Sequence, residues 1–335
     1  MLSLIVPWAL LLLLVVTAIL LLRKKWMAAG VVALVMVGLN SCYDCFCFGF
    51  KNSFAGDLKV LSFNVNGVGG YEGDKASAII NIIEEENPDV VYMTENYYSQ
   101  CDSFHVRLHE MYPYDTRQMY HDVFYSKFPL SNPRFFKQND RGASYMVKCE
   151  AEVKGKMVTL FGCHLSSNNF SSVGNYLTPD EVKSVTGIKA YYENFSYASH
   201  LREMEADTVI THCKGAERVV IMGDLNEVSG GSSMRMLKGA GYKDAWGKGG
   251  FGYGATIHHP LPYRIDHVLY NSGLKLKGIK KISAKGISDH DALLAVFDLE
   301  QGKSLSSKSS CRFNRHINQY QRCHVHRRLD VVNNQ

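Results

Sequence analysis

The chain has 335 residues, 46% of them hydrophobic, and a formal net charge of +5 at pH 7. Residues 301–335 alone carry seven Lys or Arg side chains against one Asp, which leaves a net charge of −1 for the first 300 residues. This composition is sufficient for one sizeable core, and a nearly neutral body lacks the basic surface that nucleic-acid-binding proteins usually present.

Two apolar runs begin the chain. Residues 1–22 carry no charged side chain and are long enough to cross a bilayer as a helix. The basic sequence RKKW follows, and the second run, Met27 to Leu39, reaches spanning length only by continuing through residues 40–50. We interpret residues 1–50 as a helical membrane hairpin whose basic loop lies in the cytoplasm, so that the rest of the chain emerges on the outer face.

Two other interpretations of this region remain open in the sequence. A cleaved signal peptide usually begins with positive residues, and none precedes the first run. The sequence LNSC at 39–42 resembles a lipoprotein cleavage site, although an upstream spanning run is unusual there. If the second run does not cross, the globular part stays in the cytoplasm.

Residues 58–300 alternate apolar strands with helices. The predicted strands are LKVLSFNVNG, DVVYMTEN, ASYMVKCEAEV, KMVTLFGCHL, ERVVIMGDLN, YRIDHVLYN, LKLKGIKKISA and DALLAVFDLE, and helices are predicted at KASAIINIIEEENP, 178–214 and SSMRMLKGAG. Several strands are apolar without alternation, which indicates burial on both faces. Mixed strands with helices outside predict an α/β fold of stacked sheets covered by helices, in one domain over 58–300.

The remaining regions are less informative. Residues 301–335 lack periodic apolar residues and are expected to form a basic disordered tail. The nine cysteines lack the paired spacing of a zinc site. Cys42, Cys45 and Cys47 lie in or beside the second apolar run, and we expect them to face the membrane.

Polar side chains occur near one end of six predicted strands. They are Asn64 with Asn66, Glu95, His164, Asp224 with Asn226, Asp266, and Asp289 with His290. Strand residues two apart project to the same side, so Asn64 with Asn66 and Asp224 with Asn226 each share a face. For any single residue a turn is an equally good explanation. Turn formation is a poor explanation for a set that includes two histidines and a glutamate. We therefore predict that these residues form one shared site.

Four of these residues suit a hard metal ion. Glu95 and Asp289, with neutral oxygens from Asn64 or Asn66, offer a small number of oxygen ligands. This set suits Mg²⁺ or Mn²⁺, which keep water ligands and bind substrate phosphate.

The other residues suit phosphate chemistry. His164 and His290 can donate to a phosphoryl oxygen when a carboxylate keeps the ring cationic. Asp224 can accept a proton from water, and Asn226 can hold that water or a non-bridging oxygen. Such a set is appropriate for hydrolysing a phosphate ester by in-line attack of water. The sequence contains neither a Walker-type loop nor a GxSxG elbow.

These motifs resemble the endonuclease/exonuclease/phosphatase superfamily, which includes DNase I, AP endonucleases, bacterial sphingomyelinases and inositol polyphosphate 5-phosphatases. The matching stretches, in the family's order, are LSFNVNG, PDVVYMTEN, CHLSSNN, GDLNEVSGGSS, RIDHVLYN and GISDHDALL. The resemblance covers about residues 58–300. It implies a four-layer α/β sandwich, in which two mixed β-sheets pack together and are flanked by helices.

The resemblance also implies roles for single residues at the catalytic centre. Asp224 is expected to orient or deprotonate the water, and Asn226 to bind phosphate. Asp266 and His290 resemble the family's carboxylate–histidine pair, and His164 its second phosphate-facing histidine.

By the same resemblance, Glu95 is expected to be the main metal carboxylate, with Asn64, Asn66 and Asp289 around it. Some members have an acid at the position of Asn66, which puts its part in metal binding in question. Arg141, in NDRGASYMV, is expected to contact the substrate phosphate, with a surface ion pair as the alternative.

The substrate is less clearly indicated. HLSSNN stands where AP endonucleases have a Tyr-x-Pro motif, which is nearer the DNase, sphingomyelinase and phosphatase branches. The neutral body argues against processive DNA binding. Membrane attachment beside the catalytic unit resembles a group of bacterial family proteins and implies the inner membrane, with the catalytic domain on the periplasmic side.

The leading hypothesis is therefore a membrane-anchored, Mg²⁺- or Mn²⁺-dependent hydrolase of a phosphodiester or phosphomonoester. Its substrate would be a phospholipid, a small molecule or a nucleic acid, and no obligate protein partner is inferred. The closest alternative is a nuclease acting on DNA or RNA with the same site. From a different class, the alternative is a catalytically inactive binding module on this fold.

Overall fold

The computed structural model describes residues 2–67, 73–97, 102–116, 121–137, 144–168, 185–258 and 261–300. All of them belong to one compact unit, Met1–Gly302. Arg141 and the predicted tail at 301–335 lie outside the described residues.

The described elements follow the predicted alternation of strands and helices. In chain order they are α1 (Leu2–Leu22), α2 (Trp26–Tyr43), β1 (Cys47–Phe48), β2 (Leu58–Asn64), α3 (Gly73–Glu86), β3 (Val90–Thr94), α4 (Asp102–Met111), β4 (Tyr114–Asp115), β5 (Val123–Ser126), β6 (Leu130–Lys137), β7 (Tyr145–Val153), β8 (Lys156–His164), α5 (Val185–His212), β9 (Val219–Asp224), α6 (Ser232–Gly239), β10 (Lys243–Asp244), α7 (Ala245–Gly249), β11 (Phe251–Gly252), β12 (Asp266–Tyr270), β13 (Leu274–Ile282) and β14 (Ala292–Leu299).

Two six-stranded sheets form the body of the protein. Sheet I has the strand order β13-β14-β2-β3-β5-β4, and sheet II has the order β10-β12-β9-β8-β7-β6. The pairs β2–β3 and β8–β9 are parallel, and the other pairs within these sheets are antiparallel. Both sheets are therefore mixed, as the sequence predicted.

The sheets pack face to face, and helices cover their outer faces. Buried side chains of both sheets, among them Tyr92 and Val220, fill the space between them. The apolar stripe of α3, with Ile79 and Ile83 four residues apart, packs on the outer face of sheet I together with α4. Helices α5 and α6 cover sheet II in the same way. The predicted four-layer sandwich is confirmed.

The two N-terminal helices pack against each other as a hairpin and expose most of their apolar side chains. Both are long and apolar enough to cross a membrane, a test that a signal sequence also passes. The turn between them carries the basic sequence RKK. With 18 residues, α2 measures about 27 Å, close to the thickness of a bilayer core.

The second helix ends earlier than the sequence suggested. It stops at Tyr43, where Asp44 adopts a left-handed conformation with φ 49°. The Asn40 side chain pairs with the backbone N–H and C=O of Phe46, and residues 47–48 then form a strand with β11. Cys45 is buried among side chains of the hairpin, and Cys47 is buried in the core between the two sheets, so the expectation that these two face the membrane was wrong. The left-handed Asp44 and the Asn40–Phe46 hydrogen bonds end the helix there.

Candidate active site

Strand ends from both sheets meet at one edge of the sandwich. Parallel β2 and β3 bring Asn64 and the residue after β3, Glu95, to the same edge. Parallel β8 and β9 make His164 and Asp224 direct Cα partners. Antiparallel β12 begins with Asp266 opposite Asp224. The predicted residues gathered here are Asn64, Glu95, His164, Asp224, Asp266 and His290.

Asn64 joins the two sheets at this edge. Its Nδ2 lies 3.1 Å from Glu95 Oε1 and 3.2 Å from Asp224 Oδ2, so it donates to a carboxylate of each sheet. Its Oδ1 accepts the backbone N–H of Asn66 at 3.0 Å. The side-chain amide therefore holds two carboxylates close together while lowering their mutual repulsion. Glu95, as a carboxylate, is a stronger candidate than the neutral Asn64 oxygen for binding a hard metal ion.

His290 forms a buried ion pair with Asp266. His290 Nδ1 lies 2.8 Å from Asp266 Oδ2, and its Nε2 lies 3.8 Å from Asp224 Oδ2. Burial alone would lower the pKa of His290, but the carboxylates of Asp266 and Asp224 outweigh it and raise the pKa to about 10. The ring is therefore a cation at neutral pH.

His164 is held in the same way from the other side. Its Nε2 lies 3.7 Å from Glu95 Oε1 and its Nδ1 3.5 Å from Asp122 Oδ2. Burial opposes the charged ring, but Asp122, Asp224 and Glu95 together raise the pKa of His164 to about 9. Two cationic histidines thus flank the carboxylates of Glu95 and Asp224.

Asp224 is buried between these groups. Burial and the neighbouring Asp266 raise the pKa of Asp224, although His290 and His164 oppose this. Its Oδ1 accepts the backbone N–H of Asn226 at 2.8 Å, and Asn226 Nδ2 donates to the backbone oxygen of Leu165 at 3.0 Å. A carboxylate with a raised pKa is a better proton acceptor than an ordinary one.

Left-handed backbone occurs at three site residues. The φ angles are 44° at Asn66, 54° at Glu95 and 48° at Asn226. This conformation costs about 1–2 kcal/mol for a residue with a Cβ, and less for Asn. At Glu95 the Asp122 carboxylate compensates by accepting the Glu95 backbone N–H at 3.0 Å. The sharp turns stop each strand where its polar side chains begin.

Two groups of side chains suit a metal to different degrees. Asp224, Asp266 and His290 have ligand atoms within 4.8 Å of one another. Within that group, Asp266 Oδ2 already pairs with His290 Nδ1 at 2.8 Å. Glu95 and Asp224, both near Asn64, instead provide hard oxygens that suit Mg²⁺ or Mn²⁺. The donor set therefore fits a divalent ion on the Glu95 side.

Three further residues were predicted to bind metal or phosphate, namely Asp289, Asn66 and Arg141. Asp289 is exposed, and the neighbouring Ser288 donates to the backbone oxygen of Asn64 at 2.8 Å, which ties its loop to the end of β2. Asn66 is half-buried beside Asn64. Arg141, predicted to contact phosphate, lies outside the described residues.

Sequence reasoning missed Asp122. It is only 2% exposed and contacts both His164 and Glu95. Asp122 directly precedes the apolar strand β5, so it follows the same rule of an acid at a strand end. The acid beside an apolar strand was visible in the sequence, but the residues around Asp122 matched none of the family motifs.

Sequence reasoning also missed a buried ionic network behind the site. Arg202 and Glu205 of α5 are fully buried. Arg202 Nη1 donates to the Ser166 backbone oxygen at 2.8 Å, and its Nε lies 3.5 Å from Glu227 Oε2. Glu205 accepts the Ser166 N–H at 2.9 Å and the Ser144 hydroxyl at 2.6 Å. The network fixes the loops that follow His164 and Asn226.

A sequence model of the Endonuclease/Exonuclease/phosphatase family matches residues 61–290. No curated protein matches the sequence. Among solved structures, the endonuclease/exonuclease/phosphatase from Beutenbergia cavernae DSM 12333 is 16% identical, with a TM-score of 0.54 over 74% of this chain and 73% of that chain.

Two further solved structures are similar at comparable levels. The human Nocturnin catalytic domain with bound sulfate anion is 15% identical, with a TM-score of 0.53 over 72% of this chain and 94% of that chain. D. rerio TDP2 complexed with single strand DNA product is 16% identical, with a TM-score of 0.52 over 72% of this chain and 98% of that chain. At these identities the similarity shows a shared fold.

Proposed function

Because this chain belongs to the endonuclease/exonuclease/phosphatase family, whose members are phosphoester hydrolases, we propose that it is a membrane-anchored, divalent-metal-dependent phosphoesterase. The observation that supports this best is the pairing of two histidines with carboxylates around Asp224 and Glu95. Such a centre combines a proton acceptor, cations for phosphate and oxygens for a metal.

Glu95 would hold the metal, with Asp289 and the amide oxygens of Asn64 or Asn66 nearby. A bound Mg²⁺ or Mn²⁺ supplies charge stabilisation at a phosphoryl oxygen. Asn64 keeps the Glu95 and Asp224 carboxylates within hydrogen-bonding distance of one amide. Asn64 would therefore set the distance between Glu95, the metal ligand, and Asp224, the proton acceptor.

Asp224 would accept the proton of the attacking water, with Asn226 directing that water or a non-bridging oxygen. His290 and His164, cationic at neutral pH, would bind the phosphoryl oxygens and stabilise the negative charge that grows in the transition state. Asp266 orients the His290 ring and sustains its charge. Arg141 remains a proposed contact of the substrate phosphate.

The hairpin α1–α2 would anchor residues 58–300 to the inner membrane. Its turn carries the basic sequence RKK, which the positive-inside tendency places in the cytoplasm. Both helix ends nearest the globular body lie opposite that turn. The catalytic domain would therefore face the periplasm, and the basic residues of 301–335 would form a tail.

The test is hydrolysis of bis-p-nitrophenyl phosphate by the full-length protein in detergent, with Mg²⁺, with Mn²⁺ and with a chelator. We expect activity only with metal and a loss of at least about 100-fold in Asp224→Asn and His290→Gln. Asp298→Asn, the same chemical change at the far end of β14, should leave activity unchanged. Activity in the chelator, or full activity in both site variants, would contradict the proposal.

The same assay separates the alternatives. Faster cleavage of DNA or RNA than of any other ester would favour a nuclease. Binding of a phosphate ester with no turnover under any metal condition would favour an inactive binding module, which is a different class of function.

A further inference from the structure

The membrane hairpin is attached to the body at the same edge that carries the candidate site. The attachment is made by Arg264, which is only 1% exposed and lies two residues before Asp266. Arg264 Nη2 donates to the backbone oxygen of Asp44, the residue that caps α2, at 3.3 Å, and also to the Ser229 hydroxyl. Its Nη1 donates to Asp244 Oδ2 at 2.6 Å. One buried guanidinium therefore joins the end of a hairpin helix to the strand of Asp266, the carboxylate that pairs with His290.

Aromatic contacts also join the hairpin to the globular body near Arg264. The Trp8 indole of α1 donates to the Tyr263 hydroxyl at 3.3 Å, and the two rings pack edge to face with centroids 6.3 Å apart. Phe46, three residues after α2, packs on Tyr253 at 5.6 Å. Trp and Tyr are characteristic of the membrane interface, which places Tyr253 and Tyr263 at the level where the hairpin leaves the bilayer.

The same segment supports the site on its other side. Thr256 Oγ1 accepts the backbone N–H of Asp266 at 3.1 Å. Ile257 pairs with His290 in a β-bridge, and the Thr256 N–H donates to the backbone oxygen of Tyr263 at 2.8 Å. A single loop thus separates the Asp266–His290 pair from the helices.

Three exposed phenylalanines adjoin the hairpin. Phe48, Phe50 and Phe251, which we call the aromatic rim, are 71%, 75% and 61% exposed. Their rings touch, with centroids 6.2 Å apart for Phe48–Phe251 and 5.2 Å for Phe50–Phe251. An exposed apolar cluster of this kind, a few residues from the end of α2, indicates contact with an apolar phase.

Basic side chains accompany the aromatic rim. Lys51 follows Phe50 directly, and its backbone N–H donates to Gly249, next to the exposed Lys248. Aromatic side chains with lysines beside them suit the headgroup region of a bilayer that contains anionic lipid. The rim is continuous with the hairpin, so the bilayer that holds the hairpin is its natural partner.

We propose that the site hydrolyses the phosphoester of a lipid that resides in the bilayer holding the hairpin; this rests on the phosphoesterase function proposed above. The hairpin and the rim hold the Asp266–His290 edge at the headgroup level. Water oxygen bonds to phosphorus as the phosphorus–oxygen ester bond breaks. Asp224 takes the proton from the water, and the departing oxygen takes one from a cationic histidine or from solvent. The products are an alcohol and a phosphate with one ester fewer.

The test uses the full-length protein reconstituted into vesicles of phosphatidylethanolamine, phosphatidylglycerol and phosphatidic acid with Mg²⁺. Release of water-soluble product or inorganic phosphate from these lipids is compared with hydrolysis of soluble bis-p-nitrophenyl phosphate and of a single-stranded oligonucleotide. The three lipids distinguish a diester from a monoester substrate.

The aromatic rim gives the decisive variant. In Phe48→Ser/Phe50→Ser/Phe251→Ser, we expect the ratio of lipid hydrolysis to soluble-ester hydrolysis to fall about tenfold or more. The matched control replaces two exposed apolar side chains elsewhere, Val106→Ser/Met157→Ser, which are 54% and 46% exposed. It should leave that ratio unchanged, and circular dichroism checks that both variants are folded.

Each outcome has a definite meaning. Lipid hydrolysis that depends on the rim supports the inference. Hydrolysis of the soluble ester or the oligonucleotide without lipid hydrolysis, or an equal ratio in rim and control variants, overturns it and leaves the phosphoesterase function in place. If none of the lipids, the soluble ester or the oligonucleotide is hydrolysed, the phosphoesterase function itself is wrong.

Discussion

Asp122 lies against His164, with 3.5 Å between Asp122 Oδ2 and His164 Nδ1, and both side chains are buried. The other oxygen of Asp122 accepts the backbone N–H of Glu95. One carboxylate therefore controls the charge of a proposed phosphate-binding histidine and the backbone of the proposed metal ligand.

Replacing Asp122 with Asn should lower the pKa of His164. Asp122 is the largest of the carboxylate influences that hold that pKa near 9, so its loss favours the neutral ring. We expect the alkaline limb of the kcat profile to move to lower pH and the maximal kcat to fall by about tenfold or more. An unmoved alkaline limb would show that His164 does not act as a cation.

The folded protein should lose stability on the alkaline side because of His290. Its pKa is raised from an unfolded value near 6.5 to about 10 in the folded state. The stabilisation is complete below pH 6.5 and is lost as pH rises through 10. Asp266→Asn removes the main partner, so the fall of Tm between these pH values should become shallower. The measurement is thermal unfolding of the full-length protein in detergent across this range.

Mg²⁺ should raise the Tm through Glu95. A ligand that binds only the folded state stabilises it by mass action, and the gain is about 2.7 kcal/mol at 100 times the dissociation constant. We expect a rise in Tm with added Mg²⁺ in the unsubstituted protein and in Asp298→Asn, and little or none in Glu95→Gln. An equal rise in Glu95→Gln would remove Glu95 from the metal site without reference to activity.

Gly223→Ala should strongly destabilise the protein. Gly223 has φ 140°, and a Cβ there would lie 1.9 Å from the Cys163 backbone oxygen in the neighbouring strand. The expected loss is about 3 kcal/mol or more, since both backbone strain and overlap contribute. Gly155→Ala, at φ 74° with nothing within 4 Å, supplies the control for strain alone. Comparable losses in the two variants would contradict the steric explanation.

Arg202→Met should also destabilise the folded protein, because it leaves buried carboxylates behind the site without their cationic partner. Removing one member of a buried ion pair costs about 3–5 kcal/mol. Arg202→Met combined with Glu227→Gln should recover part of that loss, since Glu227 then carries no unpaired charge. A double variant no more stable than Arg202→Met alone would mean that Arg202 and Glu227, 3.5 Å apart, do not interact. Thermal unfolding and kcat are measured together.

Much of the architecture follows from local patterns. Apolar strands ending in Asn64, Glu95, His164 and Asp224 predicted the sheets and the residues gathered at their edge. Strands impose this order themselves, because parallel neighbours end together and residues two apart share a face. The family match over residues 61–290 and the two observed sheets confirm the predicted family and the four-layer fold. The roles of the site residues stay predictions.

Long-range contacts decided the rest. The sequence alone determined most of the long strands and helices, and which polar residues stand where a core strand should stop, whereas α4, β4, β5 and β6 were not predicted. Only the tertiary structure showed Asp122 against His164, Arg202 against Glu227, and Arg264 between Asp44 and Asp244. Arg264 and Asp44 are 220 positions apart, and periodicity extends over only a few turns of helix or residues of strand. A charge that is stable only because a distant part of the chain folds beside it leaves no local pattern in the sequence. Such charges fix the protonation of the two histidines and attach the hairpin beside the site.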